Sequence, residues 1–381
     1  MTLGQRFIRR VWQRQGLLGA LGWLALTPLS LSFSSLVRSR NLLYNLRWLR
    51  AKQAPALKVI SVGNLTVGGT GKTPLVLWLA QALQNRGHKV GILTRGYKGK
   101  NTGVTVVGTT GQSTAIPAEV GDETVMLARA FAGVVIAGRD RVAAARLAQE
   151  RFGVEVVILD DGFQHRRLKR DIDLILVHGT TGVGNGWLLP AGPLREPVSA
   201  TRRADVVIIA KGNKQENWAR RIVKKGRPVF YGDLVPSTLI SPVQRKWHEL
   251  PLADLVGKRV VAITGVADPF PFYRSLQEWE VEVAEILEFP DHHAYTQADW
   301  QTISQAGQKF DLIVTTEKDL VKLEQFPFAA GKLIAVRVQM EIEYAEELLT
   351  LIERRLGTAE TGEPLPASEE AAGERNEESS Q

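Results

Sequence analysis

The sequence predicts a two-lobed α/β protein, each lobe an α/β/α structure with a parallel-rich sheet, behind an N-terminal membrane-associated helix. Three observations lead there. Apolar β-branched runs alternate with helical patterns along most of the 381 residues, as expected for strands joined by crossover helices. The turn between the first run and the first helix is a glycine-rich phosphate loop, which makes the first lobe P-loop NTPase-like. The first 58 residues carry ten Lys or Arg and no Asp or Glu, arranged around an apolar stretch.

Strands are expected at 59–62, 90–93, 134–136, 154–159, 172–177 and 206–209, and a second series at 260–264, 281–287, 312–315 and 333–338. Helical stretches at 268–279 and 297–309 separate members of the second series. The resulting organisation is a basic amphipathic segment at 1–50, a nucleotide-binding lobe at 51–215, a connection at 216–250, a second α/β lobe at 251–356 and an acidic tail at 357–381. A short segment at 229–231 is suited to cross between the lobes. The tail holds seven Glu and one Arg among Ser, Ala, Gly and Pro, a composition that predicts disorder.

Composition narrows the function. With 44% hydrophobic residues the chain builds real cores and is no small binding module. It has no cysteine, which excludes disulfides, thiolate zinc sites and a cysteine nucleophile. The basic end brackets the apolar run 17–37, with Arg6, Arg9, Arg10 and Arg14 before it, so the expected partner is an anionic membrane surface and not nucleic acid. No obvious small-residue cleavage site marks a signal peptide. Pro28 and the serines at 30, 32, 34 and 35 weaken a spanning segment, which favours a helix lying in the interface. Residues 36–49 read as a second helix, with Leu42, Leu46 and Leu49 on one face and Arg40, Arg47 and Arg50 on another.

The phosphate loop runs Thr66, Val67, Gly68, Gly69, Thr70, Gly71, Lys72, Thr73. Its glycines let backbone N–H groups turn onto phosphate oxygens, Lys72 neutralises the outer phosphates, and the Thr73 hydroxyl is placed to hold Mg²⁺. Thr66 stands where the first glycine is usual. The run 154–159 then delivers Asp160 and Asp161, where a phosphate-loop protein sets a second magnesium-organising carboxylate. Gly121, Asp122 and Glu123 read either as a plain acidic helix start or as part of a site. Asp291, His292 and His293 read either as a surface loop or as histidine support for a carboxylate that accepts a hydroxyl proton. Arg95, Gly96 and Tyr97, and likewise Arg139, Asp140 and Arg141, follow strands; their arginines suit a substrate phosphate or surface ion pairs.

Together these segments resemble the tetraacyldisaccharide 4'-kinase family of lipid A biosynthesis. The resemblance rests on VGNLTVGGTGKTP at 62–74, RGY at 95–97, GDE at 121–123, DDGFQHRRL at 160–168, GNGWLLPAGPLREP at 184–197 and TEKD at 316–319, and covers about residues 1–350. Thr66 matches that family, whereas Thr124 stands where it has proline. The resemblance implies ATP-dependent phosphorylation of the 4' hydroxyl of an acylated disaccharide 1-phosphate lipid, at the cytoplasmic face of the bacterial inner membrane, with a site between two lobes. It further implies that Asp122, assisted by His292, accepts the sugar proton, that Lys72 holds the phosphates, and that Thr73, Asp160 and Glu123 organise Mg²⁺. Asp161, His165, Tyr97, Arg139 and Arg141 would then line the substrate side. ATP and Mg²⁺ are the expected cofactors, and no obligatory protein partner is expected.

A membrane-positioning ATPase switch is the main rival, since VGGTGKT at 67–73 is similar to the deviant loops of partitioning ATPases; those begin with lysine where this chain has Val67. A GTPase would need an Asp to read guanine, and Ala210 is followed by Lys211, Gly212 and Asn213. A chain that only binds nucleotide and lipid is a third reading.

Overall fold

Each of the ten predicted strands has a counterpart in the computed structural model, which describes residues 3–54, 56–210, 222, 226–243, 246–266 and 268–357. Residues 211–213 and the acidic tail beyond Gly357 lie outside the described residues, as does the side chain of Arg6. The first lobe contains β1 (Lys58–Gly63), β2 (Val90–Thr94), β3 (Thr105–Gly108), β4 (Val134–Ala137), β5 (Val156–Asp160), β6 (Ile172–His178) and β7 (Val206–Ala210). Their spatial order is β7-β6-β1-β5-β2-β4-β3, and all pairs are parallel except β3 on β4. Apart from the edge strand β3, these strands are largely buried on both faces, which explains their near-continuous Val, Ile and Leu runs. Crossovers are supplied by α3 (Lys72–Asn85), α4 (Pro117–Val120), α5 (Asp122–Ala130) and α6 (Arg141–Phe152).

The lobes do not carry separate sheets. The short crossing segment expected at 229–231 is the start of a fifteen-residue strand, β8 (Val229–Val243), which pairs in parallel with β7 and, further along, antiparallel with a strand of the second lobe. One sheet therefore continues through both lobes. Gly232, Asp233, Pro236 and Pro242 hid this strand from its sequence pattern; strand prolines settle at edges and irregularities, and the β8 register shifts beside Pro236. After β9 (Lys246–Leu250), the second lobe adds β10 (Arg259–Thr264), β11 (Glu282–Glu288), β12 (Leu312–Thr316) and β13 (Leu333–Ile342). Its helices are α7 (Phe270–Glu278), α8 (Gln297–Gln308), α9 (Glu317–Leu323) and α10 (Ala345–Leu356). The last of these returns to the first lobe, where Leu348, Leu349, Ile352 and Leu356 join Leu75, Leu79 and Leu83 of α3 in one core.

At the N-terminus, α1 (Leu3–Gln13) turns back on α2 (Gly16–Asn45). The predicted division near residue 36 is absent: α2 is one helix of 30 residues with Pro28 inside it. The serines that weakened its apolar pattern are accommodated locally, Ser32 by bonding the Pro28 carbonyl at 3.1 Å and Ser30 by bonding the body of the protein. An 18-residue window of α2 has a mean hydropathy of 1.5 and is mostly unburied, so the helix is long and apolar enough to cross a membrane.

The start of the phosphate loop is tightly packed. A Cβ on Gly63 would lie 2.5 Å from the Cβ of fully buried Phe163 and 2.8 Å from its backbone N. Gly63→Ala is therefore expected to cost about 1–3 kcal/mol, as overpacking of a core does, read as a lower denaturation midpoint; an unchanged midpoint would show that the loop gives way freely.

Candidate active site between the lobes

The phosphate loop leaves the C-terminal end of β1, which lies between β5 and β6. Gly68 and Gly71 adopt φ of 114° and 89°, conformations that glycine takes without strain, and α3 begins at once with Lys72, leaving its first-turn amides for an anion. Asn64, fully buried beneath the loop, donates to Thr70 Oγ1 at 3.0 Å, and its carbonyl accepts from Gln164 Nε2 at 2.8 Å. On the other side, Val67 N donates to the Pro193 carbonyl at 2.9 Å and Thr66 forms an antiparallel bridge with Leu194. The irregular Thr66 is thus paired like a strand residue, a setting that suits Thr better than Gly.

Parallel register sets Val62 of β1 beside Asp160 of β5, so the aspartate arrives next to the loop. Asp160 is buried, and its Oδ1 has no hydrogen-bond partner. Burial, with the nearby charges of Glu123 and Asp161, pushes its carboxyl up to about 7. Asp161 behaves oppositely. It adopts a left-handed φ of 52°, accepts from Arg195 at 2.6 Å and lies 3.7 Å from Lys72 Nζ; although burial opposes its charge, those two cations hold its carboxyl below the usual range.

The second constellation crosses between lobes. Gly121, at φ 89°, packs so closely that a Cβ would lie 2.4 Å from the Tyr97 carbonyl, which ties GDE to RGY. Thr124 contributes to the same tie, its hydroxyl 2.8 Å from that of Thr94. Asp122 opens α5, only 6% exposed. From the second lobe, the turn after β11 brings His292 Nδ1 to 2.9 Å from Asp122 Oδ2 and 3.2 Å from Oδ1. Lys318 of α9 lies 3.1 Å from His292 Nε2, 3.1 Å from Asp291 and 3.5 Å from Glu123. An ammonium only donates, so Nε2 is the acceptor and the neutral ring carries its proton on Nδ1, directed at Asp122. Lys322 stands 3.9 Å from Asp122 and 2.9 Å from Asp319. Burial disfavours the Asp122 charge, but the hydrogen bond from His292 and the charges of Lys318 and Lys322 outweigh it, leaving the carboxyl below its ordinary value.

The remaining expected site residues differ in what surrounds them. Arg141 is buried and donates to the carbonyls of Gly138 and Asp160, so it braces Asp160 from beneath and presents no free guanidinium to a substrate. Arg139 is exposed just past β4, and neighbouring Asp140 caps α6. His165 is half-buried with its Nε2 unpartnered; burial and the charges of Arg141 and Arg170 lower it to about 4, so it is neutral near pH 7. Tyr97 is exposed, its ring 5.9 Å from that of His292.

Among the described residues no group of three or more His, Cys, Asp or Glu forms a metal cage. A cation that is held by one or two carboxylates and otherwise by water and phosphate oxygens fits Asp160, Glu123 and Thr73, and that is the habit of Mg²⁺. The unpartnered oxygen and raised pKa of Asp160 are what such an ion relieves.

The sequence model of the family described as Tetraacyldisaccharide-1-P 4'-kinase matches residues 22–357. The chain belongs to the tetraacyldisaccharide 4'-kinase family. It is 39% identical over 337 residues to the Syntrophus aciditrophicus protein of that name, covering 84% of this chain and 89% of the relative. Against the Geobacter metallireducens tetraacyldisaccharide 4'-kinase the identity is also 39%, over 87% of this chain and 97% of the relative. The fold is similar to that of LpxK from Aquifex aeolicus, crystallised in complex with ATP, with a TM-score of 0.72, 33% identity and coverage of 87% of this chain and 99% of that one.

Within this kinase family frame, the sequence left Lys318, Lys322 and Arg195 without roles. Lys318 and Arg195 belong to the quoted TEKD and GPLREP motifs, so the signal was present; what was missing was the folding that brings Lys318 to His292 and Arg195 to Asp161.

Proposed function

We propose that the protein transfers the γ-phosphoryl group of Mg²⁺-bound ATP to the 4' hydroxyl of an acylated glucosamine disaccharide 1-phosphate, working from the cytoplasmic surface of the bacterial inner membrane. The observation that carries this reading is the 2.9 Å contact between Asp122 and His292, which joins a carboxylate at the nucleotide lobe to a histidine of the other lobe. A nucleotide switch has no evident need of such a pair.

In this mechanism the phosphate loop and Lys72 hold the triphosphate, and Asp161 with Arg195 fixes Lys72. Thr73, Asp160 and Glu123 would hold Mg²⁺, which would supply charge neutralisation at the phosphates. Asp122 receives the hydroxyl proton, and the Nδ1–H of His292 keeps its carboxylate oriented. A low-pKa base is adequate because phosphoryl transfer passes through a loose transition state that asks little of the nucleophile. Tyr97, exposed beside His292, is on the acceptor side.

The acceptor stays in the bilayer, since exposing acyl chains costs about 0.8 kcal/mol per CH₂. The enzyme reaches it through α2, whose first turns expose Leu17, Leu18, Leu21 and Leu24, while Ser30 and Val37 are buried against the body. A helix docked along its second half is better suited to lie in the interface than to span. Replacing Leu17, Leu18 and Leu21 together with Ser should weaken binding to phosphatidylglycerol-containing vesicles by at least about tenfold, given about 1.5–3 kcal/mol per buried leucine. Equal sedimentation with vesicles would refute the anchor.

The activity is tested by incubating the purified protein in detergent with ATP, Mg²⁺ and the disaccharide 1-phosphate lipid and weighing the product by mass spectrometry. Addition of one phosphate is expected. Free ATP hydrolysis with no lipid product would favour the membrane-positioning ATPase switch.

A further inference from the structure

Residues 184–197 form a strap with two working faces. One face receives the anchor helices. Ser30 Oγ of α2, 1% exposed, donates to the Leu188 carbonyl at 2.7 Å; Trp12 Nε1 of α1 donates to the Pro190 carbonyl at 3.0 Å; and Trp23 meets Trp187 edge to face at 5.2 Å. At the strap's end the fully buried carboxylate of Glu196 accepts from Asn41 at 2.8 Å and from Arg40 at 3.2 Å, both on α2, and from Arg203 at 2.8 Å.

The other face holds the phosphate loop. Pro193 and Leu194 take the backbone of Val67 and Thr66, Arg195 N donates to the Leu65 carbonyl at 2.7 Å, and the Arg195 side chain holds Asp161, the partner of Lys72. The strap is internally stiff. Leu189 N donates to the Leu194 carbonyl and Leu194 N to that of Trp187, and a Cβ on Gly192 would fall 2.3 Å from the Trp187 carbonyl. A segment this closely packed has few ways to relax, so a shift at one face is felt at the other.

We propose that the anchor helix is a working part of the nucleotide site, with Ser30, Asn41 and Glu196 as positioning residues that set the phosphate loop through the 184–197 strap. The bonds of all three run among the strap, α2 and Arg203, and not to the phosphate loop. They fix the strap, and the strap fixes the backbone from Leu65 to Val67. Seating the anchor thereby improves ATP binding and, since coupling between two binding events is reciprocal, bound nucleotide tightens the seat of the anchor. A kinase whose acceptor lies in the membrane would in this way hold ATP best when its anchor is in place.

The test uses the full chain with Ser30→Ala and Asn41→Ala, whose side chains bond the strap and not Lys72, Asp122 or His292. Each is expected to raise both the KM and the titrated Kd for ATP by about three- to tenfold, equivalent to about 0.7–1.4 kcal/mol, with kcat at saturating ATP kept within about twofold. Glu196→Gln should move KM in the same direction. In the wild type, a non-hydrolysable ATP analogue should slow hydrogen exchange of α2 between residues 30 and 41, and in Ser30→Ala it should do so less. An ATP Kd unchanged in both α2 variants overturns the proposal whatever their melting temperatures, and so does a fall in kcat alone, which would place the defect at the Asp122–His292 pair. The proposal rests on ATP use by the phosphate loop, and because Kd is measured without acceptor, failure of the lipid assay would leave this test intact.

Discussion

Asp122→Asn is expected to lower kcat by about 10²–10⁴-fold, the range over which a positioned general base contributes, while the Kd for ATP changes by no more than about twofold. The variant keeps the size of the side chain and can still meet His292, which stands 2.9 Å away, but it cannot receive a proton. The neighbours sharpen the expectation. Lys318 and Lys322 lower the Asp122 pKa together with His292, so the carboxylate is already charged at any working pH and its loss is not offset by protonation elsewhere. His292→Ala should lower kcat by a smaller factor, because it removes orientation and leaves the base. Single-turnover measurement with saturating ATP is the deciding experiment. If Asp122→Asn turns over at the wild-type rate, Asp122 is not the proton acceptor.

Asp160→Asn is expected to have opposite effects on activity and stability. Activity should fall at least about a hundredfold, since Mg²⁺ contributes several kcal/mol of charge stabilisation to phosphoryl transfer and an amide is a poor substitute for a carboxylate. The nucleotide-free protein, by contrast, should melt on the order of 2–4 °C higher at pH 8. The sign follows from linkage. Between its ordinary value of 3.8 and about 7 the unfolded chain has lost the Asp160 proton while the native state keeps it, so the native state binds more protons and stability falls as pH rises through that window. Above pH 7 the native state carries a buried charge that Lys72 and Arg141 compensate only in part, and the asparagine variant does not. At pH 4 the two proteins should differ little. Saturating Mg²⁺ and ATP should narrow or reverse the gap at pH 8 by stabilising the wild type. A lower melting temperature for Asp160→Asn at pH 8 without nucleotide would show that the carboxylate is already compensated and that no cation is required there.

What the sequence by itself determined were features whose cause is local. The phosphate loop from Thr66 to Thr73 needs only a strand, glycines and a helix start in succession, and all are contiguous. The parallel strands were legible because burial on both faces favours near-continuous apolar runs, and Asp160 and Asp161 because they stand at the end of one. Family motifs then supplied Asp122 and His292 as a pair, which no local rule could join across 170 positions.

Tertiary structure decided the rest. It gave β8 its length, because partners on both sides stabilise a strand whose prolines and Gly232 make it a poor one in isolation. It kept α2 continuous through Pro28, because Ser30, Val37, Arg40 and Asn41 are held along its second half by the body of the protein. It turned Arg141 inward to carbonyl oxygens, a choice no guanidinium discloses in sequence, and it assigned Lys318 to His292 and Arg195 to Asp161. Each of these depends on atoms brought together from distant parts of the chain, where packing and electrostatics act on distance in space and the order of residues carries little information.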